Sequence, residues 1–136
     1  MAHTLSFDKL HQYVSGSRGV TVPVVLMSGD RTIGLTASID TGASHCLFER
    51  IYGEGLGLDV ERGEKIAFRT ANSRLDAFGH EIVLLVLDVE LVSTVFFFAD
   101  PEIRKNVLGR TGWLDRVKLG IIDYDQQVYL APYDTH

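Results

Sequence analysis

Cysteine, proline and long apolar runs are all scarce in this chain, and each shortage excludes something. Its 136 residues hold one cysteine, Cys46, so an intrachain disulfide is ruled out. A reducing compartment fits that usage. There are three prolines, and no internal repeat, low-complexity tract or linker stands out. Positive charge is in the minority: 13 Lys and Arg face 18 Asp and Glu, a net charge of -5. Phosphate binding wants a basic face, so nucleic acid is not the expected partner. The longest apolar run, Ile82 to Leu87, falls far short of the roughly 20 residues of a membrane helix. The opening "MAHTLSFDKLHQYV" has no apolar core of signal-peptide length. The expectation is a cytoplasmic protein that neither enters a membrane nor binds nucleic acid.

What is present is apolar material in a strand-like pattern. Hydrophobic residues make up 46% and charged ones 23%, with a mean hydropathy of +0.10. That is enough for one domain with a real core. An oligomer interface and an ordinary β-rich core both account for the hydropathy. Residues 1–19 are the least patterned and read as an N-terminal arm, with "SGSRG" (Ser15 to Gly19) as its joint to a domain over residues 20–136.

Beyond the arm the period is mostly two. Val20, Val22, Val24 and Leu26 alternate with Thr21, Pro23 and Val25. After the turn chemistry of "SGDR", Ile33, Leu35, Ala37 and Ile39 alternate with small or polar residues. This predicts a hairpin with one face buried, and Pro23 places its first strand at an edge or a bulge. Glycines 53, 55 and 57 are expected to break any helix begun at Leu47. "EKIAFRT" and "LDAFGHEIVLLVLDV" flank "ANSR" and predict a second, long hairpin. "ELVSTVFFFA" is a further strand, rich in β-branched and aromatic residues. "TGWLDRV" (Thr111 to Val117) predicts one short helix, and Val128 to Leu130 a terminal strand. The expected class is all-β.

The chemistry concentrates in "ASIDTGAS". An apolar strand ends on Asp40, and Thr41, Gly42 and Ala43 follow. Burying a carboxylate is costly unless donors surround it. Gly42 lets the chain turn and lets another loop come close. Thr41 offers a hydroxyl, and Ala43 keeps the wall small. Such a loop can support two carboxylates face to face if a second copy arrives from elsewhere. An ordinary β-turn is the plain alternative.

This order of motifs resembles the retropepsin-like aspartic proteases. The match lies in "ASIDTGAS", in "NVLGR" (Asn106 to Arg110), and in the hairpin between them, which occupies the position of that family's flap. It covers roughly residues 20 to 131. Two departures stand out. Ser44 sits where retroviral members often carry an acidic partner for the arginine after the second motif, here Arg110. The flap tip, "TANSR", lacks the family's glycines.

The resemblance implies a closed all-β acid-protease barrel with one short C-terminal helix. It also implies peptide-bond hydrolysis through Asp40 from each of two chains. Thr41 would then brace the two loops, Gly42 would supply backbone close to a peptide or protein substrate, and Ala43 would complete the active-site loop. Ala71, Asn72 and Ser73 would form the flap tip, and Gly109 would pack under the catalytic loop. The chain has one Asp-Thr-Gly triplet, and its other Asp-Thr, Asp134-Thr135, is followed by His136. A homodimer is therefore expected, with a heterodimer of related chains as a variant. An inactive dimerisation or peptide-binding module on the same fold is the rival class. No metal or cofactor is expected, since His80-Glu81 has Leu84 where a zincin has its second histidine. Cys46 beside His45 suggests a thiol nucleophile only superficially, because neighbours in a strand point to opposite faces.

Overall fold

The computed structural model describes residues 1–14 and 19–134, so Ser15 to Arg18 of the expected joint lie outside the described residues. The chain is predominantly β. Its strands are β1 (Lys9–Gln12), β2 (Thr21–Ser28), β3 (Arg31–Ile39), β4 (Leu47–Phe48), β5 (Glu64–Arg69), β6 (Arg74–Val86), β7 (Val89–Phe98), β8 (Val107–Leu108), β9 (Val117–Ile122) and β10 (Gln127–Pro132). Among the described residues one α-helix, α1 (Arg50–Gly55), interrupts them.

Seven strands form one sheet in the order β2-β3-β8-β4-β7-β6-β5, and β2 also pairs with β6. That pairing turns the sheet back on itself. The result is still not a clean barrel, because β5 hangs outside the ring and β1-β10-β9 make a separate sheet. Alternation in the sequence explains the inner wall. Val22, Val24 and Leu26 are buried while Pro23 is exposed. Pro23 lies one residue before the β2–β6 pairing begins at Val24, where β2 still has a free edge. Its missing N–H therefore costs no ladder bond on that side.

The triple phenylalanine divides the core. Phe97 belongs to the main cluster with Phe48, Leu84 and Trp113. Phe96 and Phe98 point the other way, into a smaller cluster with Leu47, Ala77 and Val107. Burying an aromatic side chain of this size contributes about 2–3 kcal/mol relative to exposure. The smaller cluster is completed by Ile66, Phe68 and Leu75 from the β5–β6 hairpin.

Two helix expectations are corrected. A helix does form over Arg50–Gly55 despite its glycines. A Cβ on Gly53 would lie 2.9 Å from the Phe97 ring, and one on Gly55 2.5 Å from Ile33 Cδ1. The glycines let α1 sit directly on β7 and β3, so what reads as helix breaking is close packing. Arg50 fixes the helix by donating to Glu61 at 2.8 Å and to the Ala99 carbonyl at 3.1 Å. The expected C-terminal helix at Thr111 to Val117 shrinks to one 3-10 turn over Leu114–Arg116. Gly112 has φ +96° and Trp113 φ -141°, neither of which is helical.

The N-terminal segment is part of the fold from Lys9 onward. β1 pairs antiparallel with β10, from Lys9↔Leu130 to Gln12↔Gln127. Tyr13 is buried, its backbone N–H donates to Gln126 O at 2.9 Å, and its hydroxyl donates to the Asp123 carboxylate. That hydrogen bond, with burial, holds the phenol up at about 12.

Candidate active site

Asp40 stands where β3 ends, and four backbone bonds fix its loop. β3 and β8 run parallel, with Ser38 opposite Val107 and Ile39 opposite Leu108. The Asp40 N–H donates to Leu108 O at 3.0 Å. The Ala43 N–H donates back to Asp40 O at 3.1 Å, closing the turn. The Arg110 and Thr111 N–H groups donate to Ala43 O and Ser44 O, each at 2.9 Å. The triplet loop is thus bound to the chain on both sides of Gly109. A Cβ on Gly109 would lie 2.2 Å from His45 O and 2.8 Å from Ala43 O.

Within the loop, the Gly42 N–H donates to Asp40 Oδ1 at 3.0 Å. This orients the carboxylate and leaves Oδ2 without a backbone donor among the described residues. Asp40 is half-buried, and Thr41 and Gly42 are exposed. The outer face of the triplet is open to solvent in the single chain.

The β5–β6 hairpin roofs this loop. Its strands pair from Glu64↔Gly79 to Arg69↔Arg74. Thr70 closes the tip, its N–H donating to Ser73 O at 2.8 Å and its hydroxyl receiving the Ser73 N–H at 3.1 Å. A cavity of about 300 Å³ lies between hairpin and loop, with Asp40, Ala43, Leu47, Phe68, Leu75 and Phe98 in its wall. Thr70 reaches it; Ala71, Asn72 and Ser73 form the exposed turn and do not line it. His45 packs edge-on against Phe96 at 4.9 Å and Phe68 at 6.0 Å, which ties the loop to the roof.

A second cavity, of about 560 Å³, also has Asp40 in its wall. Its wall is mixed, with Glu49, Arg104, Lys105 and Asn106 beside Ala37, Ile39 and Val107. Asn106 holds it together. The Glu49 N–H donates to Asn106 Oδ1 at 2.9 Å, and Asn106 Nδ2 donates to Glu49 Oε2 at 2.6 Å. Glu49, Arg104 and Lys105 escaped sequence reading, although Lys105 directly precedes "NVLGR", and Asn106 is read only as part of that motif. Nothing in the period of a loop tells which of its side chains face a cavity.

Arg110 is exposed and makes no ion pair among the described residues. Its side chain lines a shallow cleft with Ser44, Thr111 and Asp115. Cys46 is fully buried. Burial pushes its thiol up to about 11; a backbone hydrogen bond from Gly109 opposes this and the Asp115 charge adds to it. A thiol so placed is protonated at neutral pH and is no nucleophile. Alkylation of the native protein by iodoacetamide at pH 7 is expected to be at least about a hundredfold slower than alkylation in urea, where the thiol returns to about 8.5. Equal rates, read by mass spectrometry, would put Cys46 at the surface and reopen the thiol reading. Among the described residues no group of three or more His, Cys, Asp or Glu is placed to hold a metal ion. No helix among them is long and apolar enough to cross a membrane.

No protein-family model and no curated protein matches the chain. The functional reading therefore rests on these residues and their geometry.

Proposed function

We propose that the protein is a retropepsin-like aspartic endopeptidase, built as a homodimer in the cytoplasm, with Asp40 of each chain forming one site on the two-fold axis. One observation carries this. The Asp40 carboxylate sits on a rigidly held loop, beneath a hairpin roof, and borders two cavities at once. A peptide lying past Asp40 has a place for side chains on both sides of it. The exposed Thr41 and Gly42 leave the outer face of the loop to a second chain.

In that dimer two carboxylates close together share one proton, because like charges so near do not both ionise. The ionised one takes a proton from a bound water as the water oxygen attacks the scissile carbonyl carbon. The protonated one gives its proton to the carbonyl oxygen. The tetrahedral diol then collapses: the protonated carboxyl gives its proton to the nitrogen, and the C–N bond breaks. A diol hydroxyl returns a proton to the ionised carboxylate, and acid and amine leave with the dyad restored. No covalent intermediate with the enzyme forms. The two apparent pKa values belong to the pair. Gly42 N–H on Oδ1 orients each carboxylate for this exchange.

The test is a mixing experiment with an Asp40→Asn chain. Wild-type and variant chains are mixed unfolded at fixed total protein, refolded together, and assayed on a denatured casein-type substrate. Random pairing at equal amounts leaves about a quarter of the dimers with two aspartates. Activity is expected to follow the square of the wild-type fraction. A straight line, with half the activity left at equal amounts, means that one chain suffices and sinks the shared site. No cleavage by the wild type, with binding of a peptide carrying a central hydroxyl, would favour the non-catalytic peptide-binding module.

A further inference from the structure

The two cavities beside Asp40 differ in chemistry. The smaller is walled mainly by Ala43, Leu47, Phe68, Leu75 and Phe98, and suits an apolar side chain. The larger is mixed: it carries the charged Asp40, Glu49, Arg104 and Lys105 beside the apolar Ala37, Ile39 and Val107. Glu49 is engaged by Asn106 at 2.6 Å and by Arg104 at 3.8 Å. Lys105 has no ion pair among the described residues, in a chain whose net charge is -5. Besides Asp40, Lys105 alone lines both cavities. An exposed lysine that makes no ion pair among the described residues thus borders both cavities, as Asp40 does.

Resting on the protease reading above, we infer that the substrate class is an acidic–apolar peptide: a Glu or Asp side chain in the larger cavity, held by Lys105, and an apolar side chain in the hairpin-covered one, on either side of Asp40. Lys105 is then a specificity residue. It recognises the peptide and takes no part in proton transfer. Arg104 stays with Glu49, so Lys105 is the cation of this wall that no ion pair engages among the described residues. The ammonium also offsets repulsion between the substrate carboxylate and the charge on the Asp40 pair. An exposed pair of this kind is modest in size and screened by salt.

The experiment uses full-length protein and fluorescent peptides whose scissile bond is replaced by a non-cleavable hydroxyethylene group. The residue next to that group is Glu, Gln or Lys, and the neighbour on its other side is Leu. Binding is read by anisotropy for the wild type and for Lys105→Ala, at low and high salt, and the cleavable versions are assayed in parallel. The wild type is expected to bind the Glu peptide about three- to tenfold tighter than the Gln peptide and to bind the Lys peptide worst. Lys105→Ala should erase the Glu preference, so that the Glu and Gln peptides bind with equal affinity. Lys105→Glu should invert the order, favouring the Lys peptide. Equal affinity for Glu and Gln in the wild type, or a preference that survives Lys105→Ala, overturns the inference even if cleavage is brisk. A Lys105-dependent preference without cleavage of any cleavable peptide overturns the hydrolytic reading alone. Failure to bind any of the peptides overturns both.

Discussion

Asp40→Asn is expected to lower peptide hydrolysis at least about a thousandfold while the protein stays folded. An amide neither accepts the proton of the attacking water nor shares one with its partner. The loop survives because asparagine keeps an Oδ1 that can receive the Gly42 N–H, now at 3.0 Å from Asp40. The other loop bonds are all backbone: Asp40 to Leu108, Ala43 to Asp40, Arg110 to Ala43 and Thr111 to Ser44. They do not depend on the side chain at position 40. The stability change should therefore stay below about 1 kcal/mol. Asp40→Ala is the useful contrast. It loses the same activity and also the acceptor for Gly42, so its melting point should fall further than that of Asp40→Asn. Circular dichroism and a cleavage assay on the same samples decide the matter. Turnover within tenfold of wild type in a folded Asp40→Asn protein would remove Asp40 from the chemistry.

Much of the β framework is legible from period two alone. The alternation over residues 20–39 becomes β2 and β3, joined at Gly29 and Asp30, with Gly29 at φ +59°. The second hairpin closes at the residues quoted for its tip, between β5 and β6. What escapes the sequence has physical causes. The turn from β6 to β7 sits on Leu87 and Asp88, at φ 48° and 66°. Leucine is not a usual left-handed residue, and no glycine follows Asp88, so the run through Val89 reads as unbroken strand. β4 and β8 hold two residues each, too few to show a period. β1 alternates only half-buried and exposed positions, because one face of its small sheet stays in solvent. The closure of the seven-stranded sheet through β2 and β6 is set by long-range pairing, which no local pattern encodes.

The candidate site divides in the same way. The triplet and its apolar-apolar-Gly companion are visible as short strings, and they are the parts held by backbone. The side chains around them are not visible. Lys105 and Glu49 come from separate loops that meet only because β4 and β8 are neighbours at Leu47↔Val107. The shortened helix after Gly109 has a local cause, the non-helical φ of Gly112 and Trp113, with Ser93 Oγ donating to the Gly112 carbonyl at 2.7 Å.

Gly109→Ala should cost more than any other single methyl in the chain's functional region, about 3 kcal/mol or more. The glycine is not needed for an unusual φ. It is needed because two backbone segments touch there. The added Cβ would stand 2.2 Å from His45 O, 2.7 Å from His45 C and 2.8 Å from Ala43 O. All three are backbone atoms, so no rotamer change relieves the clash. The segments would have to part, and parting them breaks the bonds from Arg110 to Ala43 and from Thr111 to Ser44. Those bonds hold the triplet loop, so hydrolysis should fall with stability. Gly34→Ala is the matched control. Gly34 also lies in this sheet, but a Cβ there meets nothing within 4 Å and its φ is ordinary. Alanine at that site should be neutral or stabilising by about 0.5–1 kcal/mol. Urea denaturation of both variants gives the comparison. Hydrogen exchange adds a local readout: the Arg110 and Thr111 amides should lose protection in Gly109→Ala and keep it in Gly34→Ala. If both variants are equally stable and both keep that protection, the loop is not held by the close approach at Gly109, and the rigid placement of Asp40 loses its structural basis.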